Sequence, residues 1–235
     1  MTDNTHSRKL YGRRKGPALS AHQTGLLARL LPRLAFAPTA GRAADDYFSA
    51  PVQDVWLEIG FGAGEHLAWQ AQSNPDIGII GVEPYVAGMA KLLAKLAPLC
   101  GEDGPDQRAV NIRLYNEDAR DVIAALPDAS LGRVFLLFPD PWPKTRHHKR
   151  RFVQMEMLDR LARVMKPGAE FRFATDDPGY RVWALERLSA HPAFAWLAED
   201  SIDWKTRPAD WPQTRYEAKA IHAGRACCYL RFARL

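Results

Sequence analysis

No stretch of this 235-residue chain is apolar for long enough to span a membrane. The N-terminus is basic but lacks the apolar core of a secretory signal. Cysteine is scarce, with three residues of which Cys227 and Cys228 are adjacent. That number and spacing build neither a disulfide framework nor a zinc site. They fit a reducing, cytoplasmic setting, with the thiols used as small buried side chains. Internal repeats are absent, and no linker breaks the chain after residue 50. Acid is nearly absent from residues 1–42, which hold eight Lys or Arg against one Asp, net +7. The remainder holds 24 Lys or Arg against 26 Asp or Glu, net −2. With 47% hydrophobic and 25% charged residues, the chain reads as one soluble globular unit.

The most informative segment is Phe138-Pro-Asp140-Pro-Trp142-Pro-Lys144-Thr-Arg146-His-His148-Lys-Arg-Arg151. It continues Val134-Phe-Leu-Leu-Phe138, an apolar run that reads as a buried strand. Prolines 139, 141 and 143 end the strand and stiffen the loop beyond it. A carboxylate and an indole are thus held beyond a strand's carboxyl end, where open α/β sheets build their sites. From Lys144 to Arg151 come five Lys or Arg and two His with no acid among them. A strand-end carboxylate beside a basic block points to a polyanionic substrate. A second basic block, Ser7–Gly16, interleaves base, aromatic and glycine and reads as flexible until bound.

Elsewhere strands and helices alternate. Strands are expected at 54–59, 77–82, 110–115, 134–138 and 170–174, with late strands at 193–197 and 227–232. Helices are expected at 64–72, 85–96, 119–126, 152–165 and 180–188, with a loop at 100–108 and a turn at Lys166–Gly168. This alternation predicts a mostly parallel, doubly wound α/β sheet covered on both faces. Three acids then fall at strand ends: Glu58 before Gly60-Phe-Gly62-Ala-Gly64, Glu83 after the second strand and Asp118 after the third. In such a sheet they border one crevice. Glycines 60 and 62 let a ligand approach the backbone closely. A dinucleotide fingerprint wants glycine or alanine at position 65, where this chain has Glu65. A glycine loop ringed by carboxylates suits a ligand with a positive centre and sugar hydroxyls, and Glu83 is placed to accept from a ribose.

Leu57-Glu-Ile-Gly-Phe-Gly62, Gly81-Val-Glu83, the Phe138–Arg151 block, Ala174-Thr-Asp176 and Thr214-Arg-Tyr-Glu217 together resemble the bacterial tRNA (guanine-N7)-methyltransferase family. The resemblance runs from about residue 54 to the C-terminus, and the basic arm resembles one branch of the family. The first motif is common to many S-adenosylmethionine enzymes, whereas the Pro-Asp-Pro-Trp block is highly specific. The resemblance implies a Rossmann-like class I methyltransferase fold, S-adenosylmethionine as donor, no metal, and guanosine 46 of the tRNA variable loop as acceptor. It implies a basic, partly flexible extension over 1–50 and a methyltransferase domain over 51–235. tRNA is the implied partner, with no membrane and no obligatory protein partner. Glu58, Gly60, Gly62, Glu83, Asp118 and Asp140 match donor-contacting positions, with Glu117 the competing choice for Asp118. Lys144, Asp176, Thr214, Arg215, Tyr216 and Glu217 match the tRNA side. Departures are Asp177, where an aromatic is frequent, and Arg215, where lysine is common.

Guanine N7 carries a lone pair and no proton, so its methylation needs no general base; it does create positive charge on the ring. Asp140 and Asp176 suit the stabilisation of that charge and the binding of the guanine N1–H and N2–H₂ edge, with Asp140 the expected catalytic residue. Trp142 serves equally well as a stacking platform or as a loop anchor. His147 and His148 are read as exposed and without a catalytic role.

Overall fold

The computed structural model describes residues 10–12, 14, 16–100 and 111–235. Two helices, α1 (Ala21–Arg29) and α2 (Leu31–Leu34), precede β1 (Asp54–Ile59), α3 (Glu65–Ser73), β2 (Ile77–Val82) and α4 (Val86–Cys100). Then come β3 (Ile112–Tyr115), α5 (Ala119–Ala125), β4 (Leu131–Leu137), α6 (Met155–Val164), β5 (Met165–Thr175) and α7 (Pro178–Ala190). The C-terminal part contributes β6 (Phe194–Trp196), α8 (Ile202–Lys205), α9 (Arg215–His222) and β7 (Cys228–Arg234). The strands form one seven-stranded sheet in the order β3-β2-β1-β4-β5-β7-β6. Strands β1 to β5 pair in parallel, and β7 runs antiparallel between β5 and β6.

Alternate residues of each central strand feed opposite faces, as the two-residue period of a strand requires. Val55, Leu57, Ile59, Val134 and Leu136 join the core built with α5, α6 and α7. Trp56, Ile79 and Phe135 join the core built with α1, α3 and α4. Leu57 and Phe135 are wholly buried, and each burial of that kind stabilises the fold by about 1.5–3 kcal/mol. Residues ahead of β1 share in this packing: Leu26, Leu30 and Leu34 lie in the second core, and Phe36 and Tyr47 in the first. A full capping box at Ser20 and Gln23 starts α1. Among the described residues, no helix is long and apolar enough to cross a membrane.

Three local expectations are corrected. Lys166–Gly168 is part of β5 and not a turn, because Met165 pairs with Leu131 across a register shift that admits an irregular strand entry. Helix α6 begins at Met155 and not at Phe152, since Gln154 is extended (φ −123°, ψ 152°) and stands as its N-cap. Helix α4 continues through Pro98 to Cys100. The loop expected beyond Cys100 lies outside the described residues.

Candidate active site

The strand order reverses between β2-β1 and β4, and the crevice at the carboxyl ends of β1 and β4 is where a doubly wound sheet takes ligands. A cavity of about 690 Å³ occupies that place. The loop after β1 gives it one wall. Gly60, Gly62 and Gly64 all have positive φ, at 72°, 60° and 72°. A side chain at Gly60 would meet nothing within 4 Å, so this backbone opens directly to the cavity. At Gly62 the loop is tightly covered: a Cβ there would stand 3.0 Å from the Tyr216 ring, and a Cβ on Gly88 of α4 would stand 2.3 Å from the Gly62 carbonyl.

Glu83 braces this loop. Its Oε2 accepts from the Gly62 N–H at 2.7 Å and its Oε1 from the Tyr85 N–H at 2.9 Å. Burial raises its pKa above the ordinary value, with the nearby charges of Asp140 and Glu58 adding to the rise. Each carboxylate oxygen keeps a further lone pair for a ligand hydroxyl.

Asp118 and Glu117 both line the cavity. Asp118 caps α5 by accepting from the Arg120 N–H at 3.0 Å, and Arg120 Nε donates to it at 2.9 Å. Glu117 pairs with Arg14 of the N-terminal segment. That segment contributes Leu10, Tyr11 and Gly12 to the cavity lining, which no sequence signal indicated.

The loop after β4 supplies the opposite wall. Phe138 extends the ladder by donating its N–H to Ala174 O at 2.7 Å, and there its backbone turns to a φ of 50°. Trp142 has a φ of 44°. A non-glycine residue in this region costs about 1–2 kcal/mol. Asp140 sits between these two strained residues, exposed at the cavity edge. Trp142 lies edge-on to Tyr11 and to His147, with the Arg150 guanidinium 4.9 Å from its ring centre and 4.6 Å from that of Tyr11. The basic block forms a 3-10 helix over Thr145–Arg150. Lys144 at its start and Arg146 and Lys149 within it are exposed. Slight desolvation and then the charges of Arg150, Arg146, Lys144 and Lys149 lower the pKa of His147.

Gly60, Gly62, Glu83, Asp118, Asp140 and Tyr216 thus meet at one cavity. The other expected residues stand apart from its lining. Glu58 is buried below it, with Oε2 2.7 Å from His66 Nδ1. Gln70 Nε2 stands 3.1 Å from His66 Nε2 and donates to the Asp210 carbonyl at 2.8 Å, linking α3 to the segment before α9. Asp176 is half-buried and paired with Arg225 at 2.6 Å. Thr214 caps α9 by accepting from the Glu217 N–H at 3.2 Å. Glu217 is buried, accepts from Tyr229 Oη at 2.6 Å and pairs with Arg207 at 3.0 Å. Arg215 pairs with Glu65 at 2.6 Å. The Thr-x-x-Glu motif therefore seats α9 so that Tyr216 lies over the glycine loop. Sequence reasoning missed α9, although a threonine with a glutamate three positions later is a helix-start signal.

Residues 52–230 match the model of a family described as "Putative methyltransferase". The chain is 48% identical over 236 residues to the tRNA (guanine-N(7)-)-methyltransferase of Rhodospirillum rubrum, covering 98% of this chain and 89% of the relative. It is also 48% identical to the proteins of the same name from Azorhizobium caulinodans, covering 100% and 99%, and Brucella abortus strain 2308, covering 100% and 100%. Among solved structures, the 16S rRNA methyltransferase KamB matches with a TM-score of 0.55 at 18% identity, over 85% of this chain and all of that one. The 16S rRNA (adenine(1408)-N(1))-methyltransferase from Catenulisporales acidiphilia matches at 0.53 and 18% identity, over 85% and 97%. Those likenesses establish the fold. With the cavity at the reversal point of a Rossmann-like sheet, and close relatives matched over nearly their whole length, this chain belongs to the tRNA (guanine-N7)-methyltransferase family.

Proposed function

We propose that this chain methylates N7 of guanosine 46 in the variable loop of tRNA, with S-adenosylmethionine as donor. The observation that carries this reading is the meeting of an acid-lined, glycine-floored cavity with an exposed cationic 3-10 helix, Asp140 lying where the two adjoin. The cavity fits such a donor. Gly60 opens its backbone to the cavity, and Glu83, Asp118 and Asp140 oppose a ligand carrying positive charge. When bound, S-adenosylmethionine supplies a methyl group activated by its sulfonium centre. Glu83 would hold the ribose hydroxyls, while Gly60, Gly62 and Asp118 would complete the donor's seat, with Glu58 acting from below.

On the acceptor side, Lys144, Arg146 and Lys149 would draw the phosphate backbone by charge. Asp176 and the Thr214–Glu217 segment would flank the entering nucleotide, Tyr216 from the cavity rim. Residues 1–50 would add a basic extension to the domain over 51–235. Asp140 acts by its negative charge, opposing the positive charge that develops on the guanine ring. No residue need take a proton, because N7 carries none. Positioning of the two reactants supplies much of the remaining rate.

Incubating the protein with methyl-labelled donor and bulk tRNA tests the reading. Label should enter tRNA as 7-methylguanosine, and a transcript with guanosine 46 replaced by adenosine should stay unlabelled. Tight binding of NAD without S-adenosylmethionine, or tRNA binding without transfer, would overturn it.

A further inference from the structure

Arg151 ends the basic block and reads in sequence as one more phosphate ligand. Its surroundings say otherwise. Only 4% of it is exposed. Its Nε donates to Pro141 O at 2.8 Å and its Nη1 to Gly179 O at 3.3 Å. Its guanidinium carbon lies 5.0 Å from the ring centre of Tyr180 and 5.1 Å from that of Trp183. Tyr180 is fully buried and accepts from the next two backbone N–H groups, of Phe152 and Val153. The Pro141 carbonyl belongs to the peptide bond entering Trp142, one of the two strained residues that bracket Asp140. Prolines 139, 141 and 143 in that stretch have no N–H to donate. The fork of a guanidinium, planar and stacked on two aromatic rings, is well suited to grip it.

We infer that Arg151 is a positioning residue that ties the Phe138–Pro143 loop to α7 and so sets Asp140, and that it does not bind tRNA phosphate. The inference rests on the assignment of Asp140 to the methyl-transfer site. It separates one cation of the block from its exposed neighbours Arg146 and Lys149.

Two variants test it, each measured for single-turnover methylation at saturating tRNA and for tRNA affinity against salt. Arg151→Lys keeps the charge and loses the planar fork. Arg151→Met removes the charge and keeps most of the volume. Both should methylate roughly ten to a hundredfold more slowly, the cost of a reacting group displaced by about an ångström. Both should keep the wild-type salt slope, whereas Lys149→Ala should lower that slope by about one unit. A wild-type rate in Arg151→Lys overturns the inference, and so does a lowered salt slope in Arg151→Met with the saturated rate intact. Loss of the whole fold in Arg151→Lys overturns it too, since a loop tie should leave the sheet standing. If the wild-type protein transfers no methyl group to tRNA, the functional reading fails and not the tie.

Discussion

The loops after β1 and β4 face each other across one cavity and reach the same unusual backbone region by opposite means. The loop after β1 does so with Gly60, Gly62 and Gly64, for which positive φ carries no steric cost. Its offering to a ligand is therefore backbone, kept in place by Glu83 and by the close cover of Tyr216 and Gly88. The loop after β4 does so with Phe138 and Trp142, for which positive φ is strained. Its offering is a side chain, Asp140, and its shape is imposed from outside by the Ala174 carbonyl and by Arg151. Glycine backbone adopts its conformation freely, whereas the strained wall keeps its shape only through these outside contacts. The difference suits a donor gripped along its length on one side and a charge aimed at one point on the other.

The largest break in this contrast should come from Asp140→Asn, which keeps the shape of the strained loop and removes its charge. Turnover should fall about a hundredfold, equivalent to about 2.7 kcal/mol, and by more than either binding constant changes. Unchanged single-turnover rates would reduce the loop to a structural bracket. The bracing of the glycine wall comes next. Because burial raises the Glu83 pKa above 4.5, this carboxylate takes up its proton earlier on acidification than an ordinary glutamate does. Donor affinity should drop on acidification, beginning above the ordinary glutamate range, by about 1.5–3 kcal/mol, the worth of a hydrogen bond to a charged group. For the ligand-free fold the sign is reversed. Ionising a group whose folded pKa is raised costs stability, so Glu83's contribution falls as pH climbs from 4.5 through the raised pKa and is flat beyond. Calorimetry across pH, with Glu83→Gln abolishing both trends, checks the assignment.

A smaller effect is expected from Gly62→Ala. Its Cβ would sit at a φ of 60° and 3.0 Å from Tyr216. A cost of about 1–2 kcal/mol should appear in the unfolding midpoint and the donor affinity. An alanine accepted without loss would mean that the glycine wall is no more permissive than its partner. The smallest effect sharpens the contrast away from the site. Ala129 also has a φ of 50°, and it donates its N–H to Arg163 O at 2.9 Å. Ala129→Gly should raise the unfolding midpoint by about 1–2 °C, the relief of left-handed strain slightly exceeding the added chain entropy.

The features legible in the sequence were those that depend on neighbours along the chain. Strands such as Ile77–Val82 announce themselves as apolar runs, and their order places Glu83, Asp118 and Asp140 on one rim. The features that escaped depend on distant partners. Lys166–Gly168 carries the residues of a turn, but pairing with Leu131 draws it into β5. Arg151 and Arg150 are identical in the sequence, yet Tyr180 and Trp183 bury one and leave the other beside Trp142. Glu217 is also held by Tyr229 and Arg207, twelve residues after it and ten before it, pairings that no local pattern announces. The capping signals at Ser20 and Thr214 were present and would have revealed α1 and α9.

The position of β7 has a consequence for how the chain is made. The last of the seven described strands in chain order is not at the sheet's margin but between β5 and β6. Until Cys228–Arg234 emerges, β5 presents an open edge flanked by Phe171 and Phe173, and β6 has no strand to pair with. The parallel half can assemble during synthesis, but the wall carrying Tyr216 closes only once β7 has emerged and Tyr229 can hold Glu217. A chain lacking Cys228–Arg234 therefore exposes a sticky edge and lacks a finished site.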